Sequence, residues 1–247
     1  MNKQFLHMFA CLWLCLALAA CAGAPPPRAA AADSDVTASE TTANPLAIYD
    51  PWTGFNRRMY QFNAWFDDVL LLPIVRGYRA VTPKPVRKGV GNFFSNLGEI
   101  TTFANAALQL KPEATLTTLS RFVINTTLGI GGLFDPASRL GLQQYHEDFG
   151  QTLGHYGVNS GPYLVLPFLG PSTLRDSFGL GADQYGFYVL DPLYLRGHDW
   201  VRTAYWALYA INTRDKVNFR YYQTGSPFEY ELVRFIYMNY RALQVAE

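Results

Sequence analysis

The sequence predicts a mainly α-helical body with one irregular glycine-rich hairpin, preceded by a signal peptide and a disordered tether. Three observations carry this. Apolar residues recur at steps of three and four in several windows, as one face of a helix does. Glycine and proline concentrate between residues 150 and 181. Residues 22–45 hold Ala, Pro, Thr and Ser with no aromatic side chain, whereas the remainder is dense in Phe, Tyr and Trp. A chain that is 49% hydrophobic, 15% aromatic and only 16% charged, against about 25% charged in an average soluble domain, is not disordered as a whole. It also has a thin polar coat, which points to apolar surface facing something other than water. With 20 Lys plus Arg against 19 Asp plus Glu there is no cationic excess to neutralise a phosphate backbone, so nucleic acid is excluded as a partner.

Residues 1–20 read as an export signal: Lys3 supplies the positive start and Met8 to Ala20 is almost wholly apolar. Leu18-Ala19-Ala20-Cys21 resembles the lipobox of bacterial lipoproteins, in which cleavage leaves the cysteine as an acylated N-terminus. The competing readings are an ordinary secretory signal and a membrane anchor, but the run is short for a bilayer span of about 20 residues. Cys11 and Cys15 then leave with the signal and Cys21 carries lipid, so the body has no thiol for a disulfide, a metal or a nucleophile. Two or three acyl chains make a stable anchor where one is marginal. Residue 22 is Ala rather than the aspartate associated with inner-membrane retention, which points to the outer membrane. Residues 21–45 form the lipidated cysteine and tether, spanning roughly 25 to 30 Å if flexible. Residues 46–247 are the body, long enough for one domain with its own core.

Phe55, Met59, Phe62, Phe66 and Leu70 lie on one helical face, with Asp50 before Pro51 and Thr53 before Gly54 as the two candidate starts. A stripe this wide is either core or membrane contact. Both readings stand, and Phe55, Met59, Phe62 and Phe66 are the membrane-facing candidates. A second helix is expected from Pro85 to Leu97, a third from Ile100 to Leu110 and a fourth from Glu113 to Leu128, with Leu116, Leu119, Phe122 and Val123 on one side. Gly129, Gly131 and Gly132 end that pattern. Two late helices are expected over Val201 to Ile211 and Phe228 to Val245. Between them, Tyr163-Leu164-Val165-Leu166 before Pro167 allows only a short extended segment or an irregular hairpin. No apolar run of the body approaches a membrane-spanning length.

Chemistry is hard to find. His146, His155 and His198 are scattered without metal-ligand spacing, so no metal and no cofactor is expected. Ser172 in Gly170-Pro171-Ser172-Thr173-Leu174 lacks the Gly-x-Ser-x-Gly nucleophile elbow and reads instead as a helix N-cap. No catalytic residue is assigned.

Asp50-Pro51-Trp52-Thr53-Gly54-Phe55-Asn56-Arg57 (following Asn44-Pro45), Arg121 to Asp135 and, above all, Glu147 to Asp176 resemble the MlaA (VacJ) family of outer-membrane lipoproteins. Ser226-Pro227-Phe228 departs from the family's Asp-Pro-Tyr, while Arg234-x-x-Tyr237 keeps its spacing. The resemblance implies a helical, ring-like domain in the periplasmic leaflet of the outer membrane, with an amphipathic channel. Through it, mislocalised phospholipids pass to a periplasmic carrier, in association with trimeric porins and without catalysis. On this view a glycerophospholipid is the transported ligand, and Gly154, Gly157, Gly161, Arg175 and Asp176 are candidates for channel wall or gate. A rigid loop, with Arg175 and Asp176 paired in a helix's first turn, is the other account of those residues. Two alternatives from other classes are a lipoprotein-tethered envelope or lipid hydrolase, with Ser172 or His155 as its test, and a porin-associated structural adaptor.

If Cys21 carries the anchor, Cys21→Ala will abolish metabolic labelling of the protein with palmitate and move it out of the membrane fraction.

Overall fold

The computed structural model describes residues 50–246; the signal, Cys21, the tether and residues 46–49 lie outside the described residues. The described part is helical apart from one two-stranded hairpin, the mainly α class expected. Helix α1 (Thr53–Phe66) runs through a π-helical turn (Asp67–Leu71) directly into α2 (Leu72–Val81). The apolar face read from the sequence ends at Leu70, and Pro73 follows three residues later. The structure continues because Pro73 stands in the first turn of α2, where its missing N–H is not needed. Its ring is directed against the carbonyl four residues earlier, that of Val69, which lies in the wider π turn.

The expected helices at Pro85–Leu97 and Ile100–Leu110 are one helix, α3 (Lys84–Leu108). Gly98 and Glu99 interrupt the apolar pattern without ending the helix: Glu99 is buried against α4 (Pro112–Thr127), where Arg121 Nε donates to it at 2.9 Å. The two helices run antiparallel. On α4 the buried residues are Ala114, Thr118, Arg121 and Asn125, while Leu116, Leu119 and Val123 are exposed. The apolar stripe visible in the sequence is real, and it faces out.

A short α5 (Pro136–Arg139) and α6 (Phe149–His155) lead to β1 (Tyr163–Leu166) and β2 (Gly170–Thr173), antiparallel with Tyr163 opposite Thr173 and Leu166 opposite Gly170. Then come α7 (Leu174–Leu190), α8 (Asp199–Lys216) and α9 (Glu229–Ala246). Ser172 does not cap α7: Thr173 does, accepting the amide of Asp176 at 3.1 Å, and Ser172 is the preceding strand residue. Much of the glycine-rich segment is helical because its glycines serve crossings as well as turns. A Cβ placed on Gly179 of α7 would lie 2.3 Å from the backbone N of Gly150 in α6, so the two helices touch through their backbones.

The helices close a circuit of packing: α1 on the hairpin, α2 on α8, α8 on α3, α3 on α6 and α7, and α7 back on the hairpin. Helix α9 lies against α6 and β2. The hydrophobic core is small, centred on Tyr60, Tyr163, Val165 and Tyr230, with Tyr230 edge-on to both other tyrosines. Among the described residues, buried polar and charged side chains outnumber buried hydrophobic ones. Among them also, no helix is long and apolar enough to cross a membrane.

Gly179→Val forces a branched side chain into backbone at the α6–α7 crossing. It should destabilise the fold at the upper end of the roughly 1–3 kcal/mol typical of overpacking, read as a lower urea midpoint.

Candidate functional site: an apolar cavity with one ion pair

A cavity of about 830 Å³ opens between the π turn, the hairpin tip, α7, α8 and α9, within the roughly 300–1,000 Å³ range of small-ligand pockets. Its walls are mostly apolar: Phe66 and Leu71, Phe168 and Leu169, Leu180, Trp206 and Tyr209, and Val233 with Ile236 from α9. Burial pushes the lining phenol of Tyr221 up to about 12, so it is neutral at any physiological pH.

Asp67 and Arg214 are the two charged residues of the lining. Arg214 Nε and Nη2 donate to the two carboxylate oxygens of Asp67 at 2.6 and 2.8 Å. Its remaining bonds go to the carbonyls of Val217 at 2.7 Å and Phe219 at 2.9 Å. Hydrogen bonding to Asp67 holds the guanidinium above its ordinary pKa, against the opposing effect of burial. This pair ties the π turn to the end of α8 and presents the cavity with no uncompensated charge.

The hairpin is fastened to α1 by two asparagines. Asn56 donates to the Tyr163 carbonyl at 3.0 Å and accepts the Val165 amide at 2.8 Å. Asn63 does the same with the Leu166 carbonyl at 2.9 Å and the Phe168 amide at 2.7 Å. Asn56 and Asn63 stand two helical turns apart, about 10.5 Å along an α-helix, and their partners are displaced by three strand residues, about 10 Å. The two spacings match, so α1 serves β1 as a neighbouring strand would. The free end of the hairpin is Phe168-Leu169, both exposed and both lining the cavity. Phe168 takes a left-handed backbone at φ 65° and sets its ring edge-on to Phe62 and Phe66, at 5.2 and 4.7 Å.

The sequence-derived candidates are spread over several places. Phe55 is exposed, Met59 packs on the tyrosine core, Phe62 meets the hairpin tip and Phe66 lines the cavity. Gly154 lies in α6, where a Cβ would come within 2.7 Å of Arg175 Nη1. Gly157 and Gly161 take positive φ in the loop that follows α6. Arg175 and Asp176 are buried in the first turn of α7 and paired at 2.9 Å. Asp176 also receives Arg241, at 2.9 and 3.0 Å, and the Tyr237 hydroxyl at 3.0 Å. Burial favours its neutral form, but Arg241 and Arg175 outweigh that and keep the carboxyl below its usual range. None of these five residues lines the cavity; Asp176 stands one side chain behind it, bonded to Tyr237, which does. The Ser172 hydroxyl pairs with that of Ser177 at 2.9 Å.

The family model described as MlaA lipoprotein matches residues 48–244. The chain belongs to this family. Its relatives include the intermembrane phospholipid transport system lipoprotein MlaA of Escherichia coli (strain K12), 42% identical over 67% of this chain and 65% of that protein. An uncharacterized protein of Rickettsia typhi is 47% identical over 62% of this chain and 60% of its own length. The match thus spans somewhat less than two thirds of these curated relatives. A solved structure described as "Structural basis for maintenance of bacterial outer membrane lipid asymmetry" superposes with a TM-score of 0.66 at 34% identity, covering 80% of this chain and 100% of that one.

Sequence reasoning missed Asp50, Asn56, Asn63, Asp67 and Arg214. Asp50 is no helix cap: it accepts Asn56, the Tyr230 hydroxyl and Arg234, fixing the start of α1 to α9. The available signal was the asparagine pair seven residues apart, on a face of α1 about a quarter-turn round from the exposed Phe55.

Arg214→Met leaves Asp67 buried without its partner and should cost about 3–5 kcal/mol of stability. The double variant Asp67→Asn/Arg214→Met should recover part of that loss in the same urea titration.

Proposed function

We propose that this protein is an outer-membrane lipoprotein that removes phospholipids mislocalised in the outer leaflet. It conducts them through the cavity and hands them to a periplasmic carrier, beside a trimeric porin and without catalysis. The observation that carries the reading is a large, mostly apolar cavity inside a body that turns apolar side chains outward. The naming of the Escherichia coli relative as a phospholipid transport lipoprotein supports it. A phospholipid crosses a bilayer slowly because its charged headgroup must leave water. A body seated in one leaflet shortens that passage: acyl chains meet the aromatic lining while the headgroup stays near water. The neutral Asp67–Arg214 pair neither traps an anionic headgroup nor repels it. Net flow needs no local energy source if the carrier binds the lipid more tightly than the cavity does. At the cavity-facing hairpin tip, Leu169 is the side chain free to open and close the passage, beside β1 and the Phe168 amide, which Asn56 and Asn63 hold.

The test is transfer of labelled phospholipid from vesicles containing the protein to a soluble lipid carrier. Ala210 lines the cavity on an exposed side of α8, so Ala210→Trp fills space without entering the core. Transfer should fall at least tenfold with an unchanged thermal midpoint; transfer equal to that of protein-free vesicles in the parent chain overturns the reading.

A further inference from the structure

From Val69 to Gly98 the chain carries five cations, Arg76, Arg79, Lys84, Arg87 and Lys88, and no carboxylate, although its formal charge is only +1. The fold gathers them at one bend, since α2 ends at Val81 and α3 begins at Lys84. That bend is fixed: Thr82 is extended, Pro83 and Pro85 restrict the turn into α3, and Arg87 Nε donates to the Thr82 carbonyl at 3.2 Å. Asp215, at the end of α8, is shared by Arg79 and by Arg87, the latter at 3.2 Å. It is the acidic partner of the corner, and Lys216 beside it restores a positive charge, with its Nζ donating to Gly91. Arg76, Lys84 and Lys88 are exposed and have no acidic partner among the described residues.

Apolar side chains stand among these cations: Val81 is 81% exposed, Val86 54% and Ile74 41%. The exposed strip continues back through Val69 and Leu70. In water this leaves both repulsion and apolar area uncompensated. A membrane interface resolves both, because phosphates sit at the level of the ammonium and guanidinium groups, and short apolar side chains enter the layer beneath. Exposed apolar residues interleaved with cations suit the level of a bilayer where phosphates and the first methylenes meet, more closely than they suit an acidic protein surface.

We propose that the α2–α3 corner is a docking site for anionic phospholipid headgroups, with Val81 and Val86 in the interface and Arg76, Lys84 and Lys88 at the phosphates. This goes beyond the proposed transport function, resting on it only in placing the body at a membrane, and it holds whichever lipid the cavity carries. Each cation near an anionic surface contributes about a fivefold gain in binding, screened by salt.

The experiment uses the full chain with Cys11→Ser, Cys15→Ser and Cys21→Ser, so that a bimane label on Val81→Cys is at a single thiol, reconstituted into vesicles of phosphatidylcholine with or without a one-third share of phosphatidylglycerol. Quenching of the label by brominated lipid should appear with phosphatidylglycerol and be lost in high salt. Lys84→Glu/Lys88→Glu should lower the docked-to-undocked ratio more than tenfold; both positions are exposed, so the fold is kept. Quenching that is insensitive to phosphatidylglycerol or to charge reversal overturns the proposal, as does a label that is shielded only when an acidic protein is added. The same label on Leu119→Cys, in the outward stripe of α4, separates the two readings. Quenching at Leu119 without quenching at Val81 overturns the corner alone, and quenching at neither overturns the membrane placement as well.

Discussion

Arg121 is 1% exposed, and a guanidinium that deep inside a protein must have every donor answered. Glu99, Asp135, Ser138 and the Leu142 carbonyl answer it, at 2.7 to 3.4 Å. One side chain of α4 thereby locates α3, α5 and the segment after α5. The same device recurs at Asp50–Arg234, Asp67–Arg214 and Asp176–Arg241, each joining elements far apart in sequence. Buried ion pairs contribute little net stability compared with well-packed apolar groups, and removing one partner costs several kcal/mol. Their value here is in fixing geometry. Burial also pushes the Glu99 carboxyl above its usual range, with hydrogen bonding and charge from Arg121 opposing.

This interior has a consequence for the exterior. A helix whose polar face is buried must present its apolar face outward, as α4 does with Leu116, Leu119 and Val123. In water such a surface would favour aggregation. In lipid it carries no hydrophobic penalty, and the small tyrosine core then suffices because polar clamps rather than apolar burial define the fold. The cavity follows from the same arrangement. Asn56 and Asn63 hold β1 and the Phe168 amide through side-chain bonds to the backbone, so Phe168-Leu169 project over the opening from a fixed base.

Helical periodicity was legible at Phe55 to Leu70 and Glu113 to Leu128, and aromatic content marked the two late helices, but α7 was not legible although its exposed face carries Phe178, Tyr185 and Tyr188. What spacing could not reveal was direction. An apolar stripe looks the same whether it faces a core or a bilayer, and at α4 only Arg121 and Asn125 on the other side decide it. Gly98-Glu99 looked like a helix end because a buried carboxylate breaks the apolar pattern as a terminus does. The segment from residue 150 to 181 looked irregular because Gly150 and Gly179 lower helix propensity, yet their lack of a Cβ is what allows α6 and α7 to meet. The cavity itself was invisible, since Asp67 and Arg214 lie 147 positions apart and no local pattern joins them. The family resemblance supplied the expectation of a channel, and the fold shows a mostly apolar cavity.

The near-balance of 20 cations and 19 carboxylates conceals how unevenly charge is used. The carboxylates of the described body are drawn inward or along the chain to neutralise arginines, as at Asp50, Asp67, Glu99, Asp135, Asp148 and Asp176. Every carboxylate committed to the interior is unavailable to a surface cation. The α2–α3 corner, with a single shared aspartate, is where that shortage becomes visible. A protein with so few charges that spends its acids on internal geometry therefore acquires a polarised exterior, apolar around the helices and cationic at one bend, although its sequence charge is close to zero.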